Sequence, residues 1–212
     1  MYEKDGKYYD KFRNRVIFPI INTAGKVIGF GGRALSDQQM PKYLNSPENR
    51  VFQKKNNLYA LNITRQDIGK AGMAIVVEGY MDVISLHQNG VTNVCASLGT
   101  ALTENQAKLV NRYTKNVVLS YDADEAGQKA ALRGIDVLKS ENCKVKVLHV
   151  TDGKDPDEYV KKNGKEAFMK LIDKALSYTD YKLEAAKRGL NLKTEEGKID
   201  YMKRIQPILD EL

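Results

Sequence analysis

Residues 117–127, VVLSYDADEAG, join a run of apolar residues to three acidic ones. The apolar residues predict a buried β-strand over 116–121, and the pattern that follows predicts a helix over about 125–140. Carboxylates as close in the chain as Asp122 and Asp124 repel each other. A folded chain therefore holds them together only where water hydrates them or where a positive ion lies between them.

The same alternation of apolar strand and helix recurs along the middle of the chain. Further strands are predicted at 73–77 (MAIVV), 93–97 (NVCAS) and 144–150 (KVKVLHV), and further helices near 81–89, near 103–114 and from about 158. Thr103 and Gln106 have the spacing of a helix capping box. Apolar strands that alternate with helices predict an α/β fold, in which helices flank a parallel sheet.

Three segments of the chain differ in composition and in predicted secondary structure. Residues 1–72 form a predicted basic subdomain of mixed α+β structure, with a hairpin over 16–35 and a Lys- and Arg-rich loop over 36–57. Residues 73–165 contain the predicted parallel sheet, and residues 166–212 are predicted to contain only helices. The first segment has 13 Lys and Arg against 6 Asp and Glu, whereas the remainder has 21 of each. This local excess favours a polyanionic partner, and the alternative is a solubilising surface.

Composition excludes several other classes of protein. The chain of 212 residues is 42% hydrophobic and 29% charged, as expected of a globular protein with a sizeable core. We expect no membrane association, because no apolar run has the length that a bilayer requires and no signal-peptide pattern is present. Cys95 and Cys143 lie in apolar runs and form no CxxC motif. We therefore predict a reducing, cytoplasmic location and no zinc site in this chain.

Acidic residues follow three of the four predicted strands. Because the carboxyl ends of parallel strands meet at one edge of a sheet, these side chains are expected to converge. They are Glu78, Asp122, Asp124, Asp155 and Asp157. All-oxygen ligands suit Mg²⁺ or Mn²⁺, and two such ions can hold the attacking and leaving oxygens of a phosphoryl transfer. The alternative is that the acids are solvated helix caps, since Asp is common at that position.

Seven motifs carry a family resemblance. Residues 76–83 (VVEGYMDV), 96–100 (ASLGT), 121–127 (YDADEAG) and 152–157 (DGKDPD) resemble the Rossmann-like TOPRIM domain, and more narrowly that of bacterial DnaG-type DNA primases. Residues 12–20 (FRNRVIFPI), 29–33 (GFGGR) and 41–48 (PKYLNSPE) are similar to the polymerase core of the same family. The resemblance extends from about residue 10 to residue 175.

The resemblance implies roles for individual residues. Glu78, Asp122 and Asp124 would be catalytic: Glu78 would bind metal or handle protons, and the two aspartates would be the principal metal ligands. Asp82, Asp155 and Asp157 would complete the metal cluster. Arg33, Lys42 and Lys54 would contact nucleotide phosphates or the template backbone, where such contacts supply affinity rather than sequence recognition.

The function implied is the synthesis of RNA primers on single-stranded DNA from ribonucleoside triphosphates, by two-metal nucleotidyl transfer. The chain departs from the family pattern in three places. A zinc-binding module and the early part of the core would precede it, and a helicase-binding region would follow. The resemblance therefore implies a fragment of the catalytic core, with zinc and the replicative helicase bound by regions outside this chain.

Three other interpretations are open on sequence grounds. A TOPRIM nuclease or topoisomerase would cut DNA without nucleotides, although no context for a nucleophilic tyrosine is apparent. A haloacid-dehalogenase-like phosphatase places its DxD motif after its first strand, whereas here Glu78 comes earlier. A non-catalytic DNA-binding module would carry vestigial acids that do not respond to Mn²⁺.

Overall fold

The computed structural model describes residues 2–99, 101–121, 124–150, 152–153 and 155–210. Of the predicted site residues, Asp122 lies outside these ranges. In the part of the chain so described, every helix is too short or too polar to cross a bilayer.

The N-terminal region contains two small antiparallel sheets. Strands β1 (Tyr2–Lys4) and β2 (Lys7–Tyr9) form a hairpin, and β3 (Arg15–Ile21), β4 (Val27–Ala34) and β5 (Tyr43–Asn45) form a three-stranded sheet in that order. The predicted hairpin over 16–35 is confirmed as β3 and β4. Its turn is held by Asn22, whose Oδ1 accepts hydrogen bonds from the backbone of Ala24 and Lys26, each at 3.0 Å. The predicted loop over 36–57 is wrong in part, because it contains β5.

The chain then passes through a short 3₁₀ helix (Lys54–Asn56) and α1 (Leu61–Ala71) into the larger sheet. Four strands and the helices between them follow: β6 (Ala74–Val77), α2 (Tyr80–Gln88), β7 (Val94–Ala96), α3 (Glu104–Asn111), β8 (Asn116–Leu119), α4 (Glu125–Ser140), β9 (Lys144–Val147) and α5 (Pro156–Asp173). The four strands are parallel, as predicted. Thr103 caps α3: its Oγ1 accepts from the backbone of Gln106 at 3.3 Å, and Gln106 Oε1 accepts from the backbone of Thr103 at 3.0 Å.

The C-terminal region adds β10 (Leu176–Ser177), α6 (Tyr178–Ala186) and α7 (Glu195–Leu209). The prediction that only helices follow residue 166 is wrong for β10, which pairs antiparallel with β9. Two residues are too few to show a strand period, so the sequence could not signal this element.

The order of strands in the larger sheet is β10-β9-β8-β6-β7. Both of its edges are occupied by short backbone pairings. Leu176 and Ser177 cover part of β9, and Tyr59 forms an antiparallel bridge with Ala96 on β7. The bridge contains hydrogen bonds from Tyr59 N to Ala96 O at 2.8 Å and from Ala96 N to Tyr59 O at 3.2 Å.

Three buried clusters hold these elements together. One face of the larger sheet packs on α3 and α4 through residues such as Leu119, Ile135 and Leu138, and the other packs on α2 and α5 through residues such as Leu86 and Phe168. All four residues of β6 are buried, which explains its unbroken apolar sequence. The third cluster joins the two sheets and consists of Ile20, Phe52, Tyr80 and Leu98.

Candidate active site

A cavity of about 420 Å³ lies between the three-stranded sheet and the carboxyl edge of the parallel sheet. Strands β4 and β5 and the chain between them supply Arg33, Lys42, Tyr43 and Asn45. The parallel sheet and its helices supply ten residues, of which five are acids and none is basic. They are Glu78, Gly79, Tyr80, Met81, Asp82, Ser97, Gly99, Asp155, Asp157 and Glu158. The cavity therefore has one basic wall and one acidic wall.

The first acids follow β6. Glu78 is partly buried, and Gly79 caps the start of α2. Asp82 Oδ2 accepts a hydrogen bond from Gly79 N at 3.0 Å, and the Asp82 residue is only 7% exposed. A carboxylate in the first turn of a helix is stabilised by the backbone N–H groups and by the helix dipole, so this position favours an acidic residue.

The second group of acids lies at the start of α5. Asp155 caps this helix, and its Oδ1 accepts from Glu158 N at 2.8 Å. Asp157 forms an ion pair with Lys161, one turn further along the helix, at 2.7 Å. Asp152 ties the preceding loop to α5, because it accepts from Lys162 at 2.7 Å and from Asn163 at 3.3 Å. These bonds hold the pKa of Asp152 below its usual range.

The basic wall is ordered by the strand register. Arg33 on β4 pairs with Tyr43 on β5, and the guanidinium carbon lies 5.8 Å from the centre of the Tyr43 ring. Burial raises the pKa of Tyr43, Arg33 opposes this effect, and three acids reinforce it, namely Asp82, Asp157 and Asp155. Tyr43 thus experiences the charges of both walls.

Six of the nine predicted site residues line this cavity: Arg33, Lys42, Glu78, Asp82, Asp155 and Asp157. Asp124 and Lys54 are not in the lining. Asp124 is exposed and caps α4, where its Oδ1 accepts from Gly127 N at 2.7 Å. Lys54 begins the 3₁₀ helix; its N–H donates to Glu48 Oε1 at 2.9 Å, and its carbonyl accepts from Gln106 at 3.0 Å.

Side chains of neutral residues also shape the site, and the sequence motifs gave them no role. The Tyr80 ring packs against the backbone of β4 at Gly31, where a Cβ atom would lie 2.6 Å from the ring. A Cβ atom added at Gly29 would lie 3.1 Å from the Phe52 ring, and one added at Gly32 would lie 2.8 Å from the Phe12 ring. The glycines of GFGGR therefore make room for aromatic rings. Tyr121 is buried, and burial together with the charge of Glu78 raises its pKa, so its hydroxyl remains protonated.

The donor chemistry suits a hard divalent cation. The acids in the lining offer oxygen ligands only, the kind that Mg²⁺ and Mn²⁺ prefer. Burial raises the pKa of Cys95 to about 12, which keeps this thiol protonated and unsuited to zinc. Among the described residues, no three His, Cys, Asp or Glu side chains are grouped closely enough to hold an ion. The predicted ligand set also includes Asp122, which lies outside those residues.

Three family models match successive parts of the chain. The model described as the DNA primase catalytic core, N-terminal domain, matches residues 1–65, and the Toprim-like model matches residues 75–160. The model described as the DnaB-helicase binding domain of primase matches residues 179–212. This last match corrects the expectation that the helicase-binding region lies wholly outside the chain.

Relatives and solved structures agree with these matches. A DNA primase of Clostridium acetobutylicum is 56% identical over 211 residues, which are 99% of this chain and 35% of that protein. The chain thus spans about a third of the length of this curated relative.

A structure of the DnaG primase catalytic domain bound to single-stranded DNA superposes with a TM-score of 0.85 at 37% identity, covering 100% of this chain and 69% of that one. A crystal structure of the Aquifex aeolicus primase with zinc-binding and RNA polymerase domains has a TM-score of 0.79 at 40% identity. The match covers 97% of this chain and 51% of that one.

The fold is thus that of a TOPRIM protein, in which helices flank a largely parallel sheet. The chain belongs to the bacterial DnaG-type DNA primase family. Members of this family depend on a metal ion.

Proposed function

We propose that this chain carries out nucleotidyl transfer in the synthesis of RNA primers on a single-stranded DNA template. The cavity between a basic wall and an acidic wall carries the proposal. A nucleoside triphosphate is a polyanion, and acids outnumber basic residues in the lining. Such a ligand can approach only when cations offset the negative charge of the acidic wall.

The acidic wall would hold Mg²⁺ or Mn²⁺ through Glu78, Asp82, Asp155 and Asp157, together with Asp122 and Asp124. When bound, the ions would offset phosphate charge and favour attack by the primer 3′-hydroxyl on the α-phosphate, with cleavage of the bond between the α- and β-phosphates and release of pyrophosphate. Helix caps restrain Asp82 and Asp155 through one carboxylate oxygen each. The ligands are thereby held in place before substrate arrives, which reduces the cost of organising the site.

The basic wall would bind the triphosphate or the template backbone through Arg33 and Lys42. The net charge of +7 on residues 1–72 extends this attraction beyond the cavity, and we include Lys54 among the contacts with more distant phosphates. Attraction of this kind is independent of the template sequence.

The proposed partners are single-stranded DNA, ribonucleoside triphosphates and a replicative helicase, the last through residues 179–212. A cytoplasmic location is proposed with them, because that is where the chromosome is replicated in bacteria. Zinc would be bound outside this chain; the Aquifex aeolicus primase structure includes a zinc-binding domain beside its RNA polymerase domain.

The test is Glu78→Gln, an isosteric change that removes one negative charge beside the cavity. We expect this variant of the 212-residue chain to lose Mn²⁺-dependent binding of a ribonucleoside triphosphate, with an unchanged circular dichroism spectrum. Template-dependent incorporation of labelled ribonucleotides should fall with it wherever the parent shows incorporation. The control is Glu184→Gln, which removes an exposed charge on α6 that is paired with Lys187.

Two results would contradict the proposal. The first is unchanged nucleotide binding in Glu78→Gln. The second is cleavage of single-stranded DNA by the parent with Mn²⁺ and no nucleotide, which would favour a TOPRIM nuclease.

A further inference from the structure

Tyr80 occupies the junction between the two sheets. The residue is 4% exposed, and its ring stacks on Phe18 of β3 with 5.5 Å between the ring centres. The rings of Tyr59 and Tyr43 meet it edge-on, at 4.8 and 6.1 Å. Aromatic rings at these separations attract one another beyond the burial of their area. Tyr80 therefore holds a defined position between the basic and acidic walls.

A chain of hydrogen bonds continues from the Tyr80 hydroxyl. The hydroxyl donates to Asn45 Oδ1 on β5, and Asn45 Nδ2 donates to the carbonyl of Leu98, after β7, at 3.1 Å. Burial is the main cause that raises the pKa of Tyr80, so the hydroxyl remains a donor at any physiological pH. Partly buried hydrogen bonds of this kind are expensive to leave unmade.

The positions of these residues along their strands connect the junction to the site. Alternate residues of a strand lie on the same face, so Gly31 and Asn45, which contact Tyr80, share a face with Arg33 and Tyr43 respectively. On the opposite wall, Tyr80 lies two residues from both Glu78 and Asp82. One side chain thus contacts the strands that carry the basic wall and belongs to α2, the helix that carries Asp82 of the acidic wall.

We propose that Tyr80 and Asn45 form a latch that fixes the distance between the basic wall and the acidic wall. Both are positioning residues: they set where a nucleoside triphosphate can meet Arg33 with its phosphates and the acids with its bound cations. This inference rests on the proposed function. It assigns the hydroxyl of Tyr80, rather than its ring, to the alignment of the two walls.

The test uses Tyr80→Phe, which keeps the ring packing and removes only the hydroxyl. We expect the affinity for a fluorescent ribonucleoside triphosphate analogue in Mn²⁺ to fall by about threefold to tenfold, the range for loss of one hydrogen bond. The affinity for Mn²⁺ alone, measured by electron paramagnetic resonance, should change by less than about twofold. The substitution leaves intact the hydrogen bonds that Asp82 and Asp155 form at the starts of their helices. A residue that only stabilises the fold would not separate these two affinities.

Asn45→Ala removes the acceptor of the Tyr80 hydrogen bond. It provides the same test if the Tyr80→Phe variant does not fold. The double variant should bind the nucleotide analogue no more weakly than the weaker of the two single variants, because all of them break one chain of bonds. The control is Tyr59→Phe, whose ring also contacts Tyr80. We expect it to leave the nucleotide affinity unchanged.

Each other outcome overturns the inference in a recognisable way. Unchanged nucleotide affinity in both single variants overturns the latch and leaves the proposed function standing. Additive losses in the double variant, or equal losses of nucleotide and Mn²⁺ affinity, also overturn the latch alone. A parent chain that binds Mn²⁺ but no nucleotide overturns the latch and the proposed function together.

Discussion

The two sheets that border the cavity position their functional side chains by different means. The antiparallel sheet presents Arg33, Tyr43 and Asn45 from within its strands, where the register of β4 and β5 determines their neighbours. The parallel sheet presents its acids beyond the strand ends, where Asp82 and Asp155 bond to the first backbone N–H groups of helices. The basic wall therefore depends on packing between strands, and the acidic wall on local caps.

This difference has a consequence for substitutions. A change within the antiparallel sheet is transmitted through the rings that pack against it, so it alters stability and the site together. A change at a cap is local, and the charge of the residue can be altered separately from its capping function. The following predictions test that distinction, beginning with the largest effect.

The largest effect is expected for Gly31→Ala. Its Cβ would lie 2.6 Å from the Tyr80 ring, so either the ring or strand β4 must shift. Overpacking of this kind lowers the free energy of unfolding by about 1–3 kcal/mol. Chemical denaturation measures the loss, and nucleotide binding should weaken in parallel because Arg33 lies on the same strand.

The matched control is Gly69→Ala, in helix α1, where an added Cβ has nothing within 4 Å. Alanine is favoured over glycine in a helix, so this variant should be more stable than the parent by about 0.5–1 kcal/mol. Equal stability of the two alanine variants would show that the contact between Tyr80 and β4 is not tight.

An intermediate effect is expected at Asp155, the cap of α5. Asp155→Ala removes the hydrogen bond to Glu158 N and should cost about 1 kcal/mol of unfolding free energy. Asp155→Asn retains a capping oxygen and should cost only a few tenths of that amount. Both should weaken Mn²⁺ binding, since both remove the charge. If Asp155→Asn instead binds Mn²⁺ as the parent does, Asp155 is a cap and not a ligand.

The smallest effect on binding and stability is expected for a substitution in the basic wall. Lys42→Ala should weaken the binding of single-stranded DNA and lower the slope of log affinity against log salt by about 0.7, as for one lost phosphate contact. Stability should be nearly unchanged. Lys54→Ala, outside the cavity lining, is the comparison. A smaller change in slope for Lys54→Ala would show that Lys54 does not contact a DNA phosphate as Lys42 does. Equal changes would show that DNA phosphates are also contacted outside the cavity.

Much of the larger sheet and its helices could be predicted from the sequence, because the patterns that indicate these elements are local. The apolar strands and their helices alternate clearly, and the capping box at Thr103 is found where its spacing indicates. The rule that parallel strands end at one edge predicts that Glu78, Asp155 and Asp157 share a site, and these three line the same cavity. The alternative of helix caps is also correct for Asp124 and Asp155, which cap α4 and α5.

The junction between the sheets could not be predicted in the same way. The hydrogen bond between Tyr80 and Asn45 joins residues 35 positions apart, and no periodicity connects them. The glycines of GFGGR accommodate aromatic rings from distant segments of the chain. Such contacts arise from tertiary packing and leave no local pattern. Strand β10 was missed for a related reason, since its two residues are stabilised by pairing with β9.

The short pairings at both edges of the larger sheet bear on how this protein can assemble with others. An open edge strand offers unpaired N–H and C=O groups to any extended chain, and it invites aggregation. Here β10 shields part of one outer strand and the backbone of Tyr59 engages the other. Recruitment of a foreign strand by β9 or β7 at these positions would first have to displace the pairings already made there.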